Sequence, residues 1–253
     1  MWNVYRFLLH GKWIALTVLL VLVVPLSVVA ADWQWNRWQA RKSTNAVVTT
    51  NLVIPTQSLT DIALSQTANE AEWRSAVVSG RYIDDATVLV RRQVVNGRTG
   101  FIVTTPLKAD DGQVVLVQRG FLPVSPSSGS VVAPPAPVGS VTVTGRIRPI
   151  PESDLQVRPA DLPPGQVNRI DVASFASELG SPTRDLLLAA SASNPEDSPL
   201  LTPLPLPTVD EGPHLSYVGQ WALIGLASIV IWIIVVRREA AHRRDELTQD
   251  ATR

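Results

Sequence analysis

Two uncharged stretches decide the fold: WIALTVLLVLVVPLSVVAA at residues 13–31 and LSYVGQWALIGLASIVIWIIVV at residues 215–236. They contain 19 and 22 residues without a charge. An α-helix rises about 1.5 Å per residue, so about 20 apolar residues cross the roughly 30 Å hydrocarbon core of a bilayer. The sequence therefore predicts two transmembrane α-helices, over residues 13–31 and 214–236.

Basic residues beside the spans predict the orientation, because lysine- and arginine-rich ends face the cytoplasm. The first span has basic residues on both sides, so the second decides. Acidic residues precede the second span and four arginines follow it: Asp210, Glu211, then Arg237, Arg238, Arg243 and Arg244. We expect a multi-pass protein of the cell membrane with cytoplasmic segments at residues 1–12 and 237–253. The chain between the spans is then extracytoplasmic.

A cleavable signal peptide is the alternative for the first span, because Val28-Val29-Ala30 resembles a cleavage site. The apolar run is longer than the roughly 7–15 residues of such a peptide. Aromatic residues also lie where each span meets the outer interface, and such belts anchor retained helices: Trp33, Trp35, Trp38, Tyr217 and Trp221. The pattern favours a retained anchor in contact with membrane lipid.

Composition excludes most chemistry from the region between the spans. The chain has 22 basic and 22 acidic residues, so no net charge attracts nucleic acid. It has no cysteine, and none of its three histidines lies between Asp32 and Pro213. A Ser-His-Asp triad, a Cys-His pair and a histidine-bound zinc are therefore impossible there. Carboxylates leave acid–base chemistry open, so a membrane-anchored enzyme or ligand sensor stays an alternative to a non-enzymatic role.

The middle of the chain predicts one β-rich α+β domain at residues 32–193, followed by a Pro-rich linker at residues 194–213. Alternating and β-branched runs between turn signals predict strands at 73–78 (ended by Gly80), 86–95, 101–107, 114–117, 141–145 and 185–190. Residues 172–179 predict a short helix with Asp171 as N-cap and Gly180 as its stop. The acid pairs 84–85 and 110–111 fall at expected turns. Residues 123–137 and 194–213 are rich in Pro, Ser and Gly and predict extended surface linkers that are not packed.

Several local patterns occur in a fixed order along the chain: Trp33-Gln34 with Arg37 and Arg41, Gly80 with Tyr82, Arg91-Arg92, Gly100, Thr105-Pro106-Leu107, Val115 and Val117, Arg119-Gly120-Phe121 with Pro123, Gly212-Pro213-His214-Leu215-Ser216-Tyr217, and Gln220-Trp221. With two bracketing spans, this ordered set resembles the surfeit-locus protein 1 family over residues 13–236. The sequence departs from the family at Ala31, where glycine is common, and at Gln118 and Phe121, where asparagine and tryptophan are usual.

The resemblance implies a non-enzymatic assembly factor for haem–copper cytochrome c oxidase. Such a factor assists haem a insertion or stabilises the catalytic subunit, and its partners are oxidase subunits or a respiratory supercomplex. The resemblance also implies transient haem a binding through a histidine at the start of the second span, which is His214 here. A persistent structural subunit of the oxidase or supercomplex is the alternative.

Helical spacing agrees with a site at the outer end of the spans. His214, Tyr217 and Trp221 fall at i, i+3 and i+7 on one helix face. An imidazole there can ligate haem iron, with the rings beside the porphyrin. If the first helix continues outward, Trp33, Arg37 and Arg41 share a face as well, and the two guanidinium groups can bind propionates. The competing interpretation is that these residues only anchor the helices at the interface.

Overall fold

The structure is a computed structural model that describes residues 2–124, 131–150 and 162–250. It divides into two compact units. The helical unit comprises the chain up to Asn45 and the chain from Asp210 onward, and the β unit comprises Ala46–Val209. The α-helices are α1 (Gly11–Val53), α2 (Leu59–Ser65), α3 (Val172–Leu179) and α4 (His214–Asp250).

The two long helices, α1 and α4, confirm the predicted pair of terminal apolar helices. Each is long and apolar enough to cross a membrane, and only 6 % of the apolar window of each is buried. The second helix begins at His214 as the sequence predicted. In contrast, α1 does not end at Ala31 but continues for 22 residues to Val53. Residues 32–53, which the sequence interpretation gave to the β-rich domain, are therefore helical.

Proline positions explain where these helices stop and start. Residues 26–54 contain neither glycine nor proline, so nothing local interrupts α1 until Pro55, which disfavours helix in the residue before it. Pro213 directly precedes α4, and proline suits the first turn of a helix because no amide hydrogen is needed there. Pro25 lies inside α1, and membrane helices tolerate such a residue.

Close contacts join α1 and α4 within the helical unit. Near the cytoplasmic ends assigned from the sequence, a small apolar cluster contains Phe7, Trp13, Val236 and Ala240. Farther along, Ser27 is 2 % exposed and faces Gly225, where an added Cβ would lie 3.3 Å from the Ser27 Cβ. Small residues let membrane helices approach closely, so Gly225 is a close-packing position.

The described residues of the β unit form eight strands: β1 (Gln57–Ser58), β2 (Ser75–Tyr82), β3 (Val88–Val95), β4 (Arg98–Ala109), β5 (Val114–Pro123), β6 (Val141–Arg148), β7 (Gln166–Val167) and β8 (Thr183–Asn194). Their order is β1-β2-β6-β8-β5-β4-β3-β7, and β2 also pairs with β4. The pairings among β2, β6, β8, β5 and β4 thus form a closed ring. All five pairings in the ring are antiparallel except the parallel β5–β8 pair. The domain therefore contains a small five-stranded barrel.

The ring closes at Gly80, which pairs with Ala109. A Cβ at residue 80 would collide with the carbonyl oxygen of Lys108, so only glycine allows the two backbones to approach this closely. The sequence interpretation ended the first strand at Gly80, and that prediction was wrong. The strand continues through it to Tyr82 because the glycine serves the closure instead of stopping the strand.

Alternating side chains of β5 enter two apolar cores. Val115 and Val117 belong to the core that also contains Leu107 and Leu188. Val114 and Leu116 belong to the second core, which includes β3, β7 and Phe175 of α3. Because both faces of the strand are covered, it appears in the sequence as a continuous apolar run with no polar alternation.

Most predicted elements of the β unit are confirmed, with boundaries shifted by a few residues. The helix at 172–179 is found at those residues, with Asp171 accepting hydrogen bonds from the Ala173 and Ser174 amides and Gly180 in the left-handed conformation. Both acid pairs lie in turns or in a 3-10 turn, as predicted.

The prediction that residues 123–137 and 194–213 are unpacked linkers was wrong in part. Leu201 is 9 % exposed within an apolar cluster, and Thr202 pairs with Phe121 in an isolated bridge. Ala136 is also buried. Residues 125–130 of the first linker lie outside the described residues. Composition predicted extended chain correctly, but it carried no information about which surface that chain covers.

Candidate functional site

The start of α4 forms a short turn with a defined structure. The Gly212 amide donates to Asp210 Oδ1 at 2.8 Å, and Gly212 itself has a φ of +67°, which favours glycine. An added Cβ at residue 212 would lie 3.3 Å from Cδ2 and 3.5 Å from Nε2 of His214. Ser216 Oγ and the Tyr217 amide donate to the Pro213 carbonyl. Glycine at position 212 therefore allows both the turn and its close approach to the imidazole.

His214 is half-buried and bonds to α1. Its Nδ1 lies 2.8 Å from Oε1 of Gln34, across 180 residues of sequence. The Gln34 amide oxygen can only accept, so the neutral ring makes this bond as the Nδ1–H tautomer, which leaves the Nε2 lone pair free. Metal-ligating histidines usually donate their other ring N–H to an oxygen acceptor in this way. The ring chemistry therefore fits an axial ligand to haem iron.

Four residues on one face of α1 hold the segment that leads into α4, and we call them the α1 clamp: Gln34, Trp38, Arg41 and Asn45. Their spacing of i, i+4, i+7 and i+11 is helical. Trp38 Nε1 donates to Glu211 Oε2 at 2.7 Å, and Asn45 Nδ2 donates to the Asp210 carbonyl at 2.7 Å. The clamp residues contact the segment in reverse order, from Asn45 at Asp210 to Gln34 at His214.

The two arginines predicted to bind propionates differ in their contacts. Arg41 forms an ion pair with Asp210 at 3.6 Å, and its Nε donates to the Asp210 carbonyl at 3.3 Å. The Arg37 guanidinium lies 5.5 Å from the ring centroid of Trp33, a cation–π arrangement. In these contacts the Arg37 guanidinium faces an aromatic ring, whereas the Arg41 guanidinium faces the carboxylate of Asp210 in an exposed ion pair.

The predicted aromatic residues of α4 do not share one environment. Tyr217 is 43 % exposed. Trp221 lies in an apolar groove of about 510 Å³ that also includes Trp35 and runs between residues 24–35 of α1 and 218–229 of α4. This volume is within the roughly 300–1,000 Å³ of small-molecule sites. His214 contacts Gln34 of α1 and Trp221 lines a groove shared with α1, whereas Tyr217 is exposed.

The β unit offers no comparable ligand chemistry in its described part. In the described residues of the chain, no group of three or more His, Asp or Glu side chains could hold a metal ion. The buried polar cluster of the β unit centres on Arg119, which donates to both Asp197 oxygens and to the carbonyls of Pro134 and Pro135. Burial raises the pKa of the neighbouring Tyr82, and the charge of Asp197 acts in the same direction. These contacts hold loops to β5 and point to a structural role.

Sequence reasoning named the histidine but missed its acceptor. The sequence pattern included Gln34 only as half of the Trp33-Gln34 pair. Asp210 and Glu211 served only to predict the orientation of the second span in the membrane. The available signal was the polar face of α1 at residues 34, 38, 41 and 45. It becomes visible once the helix is known to continue past residue 31.

Comparison with known proteins agrees with the architecture. The model of the SURF1 family matches residues 21–226. An uncharacterized SURF1-like protein of Mycobacterium bovis is 33 % identical over 250 residues, covering 95 % of this chain and 89 % of the relative.

Two more distant relatives carry the same description. A SURF1-like protein of Rickettsia bellii is 22 % identical, with 93 % of this chain and 97 % of the relative covered. A SURF1-like protein of Monosiga brevicollis is 28 % identical, with 68 % and 69 % covered. The region matched by the family model includes the whole β unit and part of each long helix.

Proposed function

Because the chain belongs to the SURF1 family, we propose that it is a non-enzymatic assembly factor for haem–copper cytochrome c oxidase that receives haem a at His214. Members of this family are generally cytochrome oxidase assembly factors without enzymatic activity. The mycobacterial relatives are described only as uncharacterized. Support for haem binding by this chain therefore comes from its residues at the start of α4.

The contact between His214 and Gln34 carries the proposal. The imidazole donates from Nδ1 to a fixed oxygen at 2.8 Å, so Nε2 is available as a ligand. Haem would supply an iron centre, and Nε2 of His214 would be the atom of this chain that holds it. The chain itself contributes the ligand, the orientation of the ring, and an apolar groove that begins near Trp221 on the same side of α4.

Arg37 and Arg41 of α1 are the candidates for binding the propionates of a haem held at His214. Arg37 is exposed and stacked on Trp33, so its guanidinium is oriented and remains available for a carboxylate. Arg41 can serve the same purpose only by giving up Asp210. We therefore assign Arg37 the leading role in binding a propionate and Arg41 a secondary one.

Purified protein from cells that make haem a tests this function. We expect a haem absorption band in the wild-type chain and its loss in His214→Ala. His242→Ala is the matched control, since it removes a second histidine of the same helix, and it should keep the band. A band that survives in His214→Ala would remove His214 as the ligand. Wild-type protein without any band would contradict haem handling.

The orientation proposed from flanking charges puts both termini in the cytoplasm and the β unit outside. Four arginines at the end of the second apolar run support it. Labelling of single cysteines introduced at Ser191 and at Ala241, both exposed, in the cysteine-free chain tests it in intact cells. The first site should react with a membrane-impermeant reagent and the second should not. Protection of the Ser191 site would contradict the proposed orientation.

The alternative function is a persistent structural subunit of the oxidase or of a respiratory supercomplex. The largely exposed apolar surfaces of α1 and α4 favour docking against other membrane spans. Gentle-detergent purification of mature, active oxidase separates the two functions. Stoichiometric recovery of this chain would favour the subunit, whereas recovery with immature subunits alone would favour the assembly factor.

A further inference from the structure

We propose that Gln34 is the positioning residue for His214. Its amide oxygen accepts a hydrogen bond from Nδ1–H and so holds the imidazole in the tautomer whose Nε2 is left to bind haem iron. The inference rests on the proposed function, since it assumes that haem iron is the group bound. It gives the ligating imidazole a direct partner on the first helix, 180 positions away in sequence.

The surroundings of Gln34 suit a positioning role. It is half-buried and is the first of the four clamp residues on α1. The contacts of Trp38 with Glu211 and of Asn45 with Asp210 hold the segment just before α4. On the other side, Gly212 approaches the imidazole so closely that a Cβ there would lie 3.3 Å from it. The ring is thus confined between a glycine backbone and an amide acceptor.

The acceptor also tunes the ligand. A hydrogen bond from Nδ1 makes Nε2 a stronger electron donor, and outer partners of this kind change metal affinity and redox potential. Glutamine gives a neutral acceptor of intermediate strength. A carboxylate at position 34 would strengthen donation and lower the reduction potential of the haem, whereas an aliphatic side chain would remove the acceptor and raise it.

The first test needs no haem. The full chain, labelled with ¹⁵N-histidine and held in detergent micelles, reports its ring tautomers in two-bond ¹H–¹⁵N spectra. We expect the Nδ1–H form for His214 and loss of that preference in Gln34→Leu. His10 and His242 act as internal references. Gln39→Leu, an exposed position of the same helix, is the matched control and should leave the His214 signals unchanged. An unchanged His214 tautomer in Gln34→Leu would overturn the proposal.

The second test uses haem-loaded protein. We expect Gln34→Leu to weaken haem binding about 10- to 100-fold and to raise the reduction potential of the haem that remains. Gln34→Glu should retain haem and lower the potential. A residue with a merely structural role would not shift the potential in opposite directions. Equal potentials in the two variants, or shifts of the same sign, would overturn the proposal.

The two tests keep this proposal separate from the proposed function. If wild-type protein carries no haem, the proposed function fails, and the tautomer spectra still decide whether Gln34 controls the imidazole. If wild-type protein carries haem and the Gln34 variants match it in both tests, the haem function stands and the positioning role fails.

Discussion

The two units of the molecule each contain an Arg–Asp pair, and the two pairs differ in burial. In the β unit, the Arg119 side chain is 0 % exposed and that of Asp197 is 16 % exposed. In the helical unit, Arg41 and Asp210 are 52 % and 59 % exposed. Coulomb attraction is stronger away from water, and so is the cost of losing one partner. The same two residue types are therefore structural in one unit and replaceable in the other.

This difference extends to the units as a whole. The β unit buries both faces of β5 and satisfies Arg119 with a carboxylate and two backbone carbonyls. The helical unit leaves its apolar windows almost wholly exposed and places its hydrogen bonds between helices mainly at the start of α4. The β unit thus holds itself together, whereas the helical unit depends on lipid or a membrane partner to cover its surface.

Breaking the buried pair is expected to have the largest effect. Arg119→Met removes the guanidinium partner of Asp197, which keeps the Ser198 amide as a donor, and the carbonyls of Pro134 and Pro135 lose their donors. Loss of one partner of a buried pair costs about 3–5 kcal/mol. We expect the free energy of unfolding of the β unit, measured by pulse proteolysis over a urea series in detergent, to fall by about that amount.

A double variant is the control for this prediction. Adding Asp197→Leu to Arg119→Met removes the stranded carboxylate, so part of the lost stability should return, because apolar replacements of buried pairs are often tolerated. The haem band proposed for the helical unit should not change in either variant. A single variant that loses less than about 1 kcal/mol would contradict the burial argument, since exposed pairs contribute that little.

Closing the barrel is expected to depend on Gly80. Gly80→Ala introduces a Cβ that meets the Lys108 backbone, and overpacking of this kind costs about 1–3 kcal/mol. The same urea series should detect a loss in that range. Gly219→Ala is the matched control, because a Cβ at residue 219 of α4 has no atom within 4 Å. An equal response of the two variants would mean that the β2–β4 pairing does not close the ring tightly.

The sequence predicted the strands and the two apolar helices because their signals are local. Valine-rich runs, Asn96-Gly97 and the cap residues of α3 act within a few positions, so their pattern alone locates each element. Ring closure is different. It depends on Gly80 meeting Lys108 across a pairing between non-consecutive strands, and the sequence interpretation left closure open.

The site was only half predicted, for the same physical reason. His214 was found through its motif, whereas its contact with Gln34 joins residues 180 positions apart. The outward continuation of α1 entered the sequence interpretation only as a condition, because residues 32–53 carry no span-length apolar signal. Pro-rich composition likewise gave no sign that Leu201 is buried or that Asp197 is the partner of Arg119. Tertiary partners of this kind have no local signature.

Acid should lower the free energy of unfolding of the β unit through Asp111. This effect should be smaller than those of Arg119→Met and Gly80→Ala, because Asp111 lies near the surface. Burial alone would raise its pKa, but hydrogen bonds from Thr60, the Gln113 amide and Arg184 together lower it below 3.8. A carboxyl with a lowered folded-state pKa stabilises the fold above the unfolded pKa. That contribution is lost as pH falls through the folded value.

The pH dependence of unfolding measures this contribution. As the pH falls below about 4, the unfolded carboxyl binds a proton more readily than the folded one, so the free energy of unfolding should fall less steeply with acid in Asp111→Asn than in wild type. Asp110→Asn is the matched control, since it removes the adjacent carboxylate without touching the Arg184 contact. A slope that is the same in wild type and Asp111→Asn would contradict the assignment.

The smallest effect is expected at the exposed pair of the helical unit. Asp210→Asn removes the charge facing Arg41 but keeps an oxygen that can accept from the Gly212 amide. Exposed pairs contribute about 0–1 kcal/mol. The free energy of unfolding, measured over the urea series from cleavage just before α4, should therefore fall by no more than that. The change should vanish near 1 M salt, where the screening length is about 3 Å. A loss as large as that of Arg119→Met would mean that the pair is shielded from water by a partner or lipid. The two Arg–Asp pairs would then differ in what covers them, a partner or lipid in one case and the chain itself in the other, and not in how well they are shielded from water.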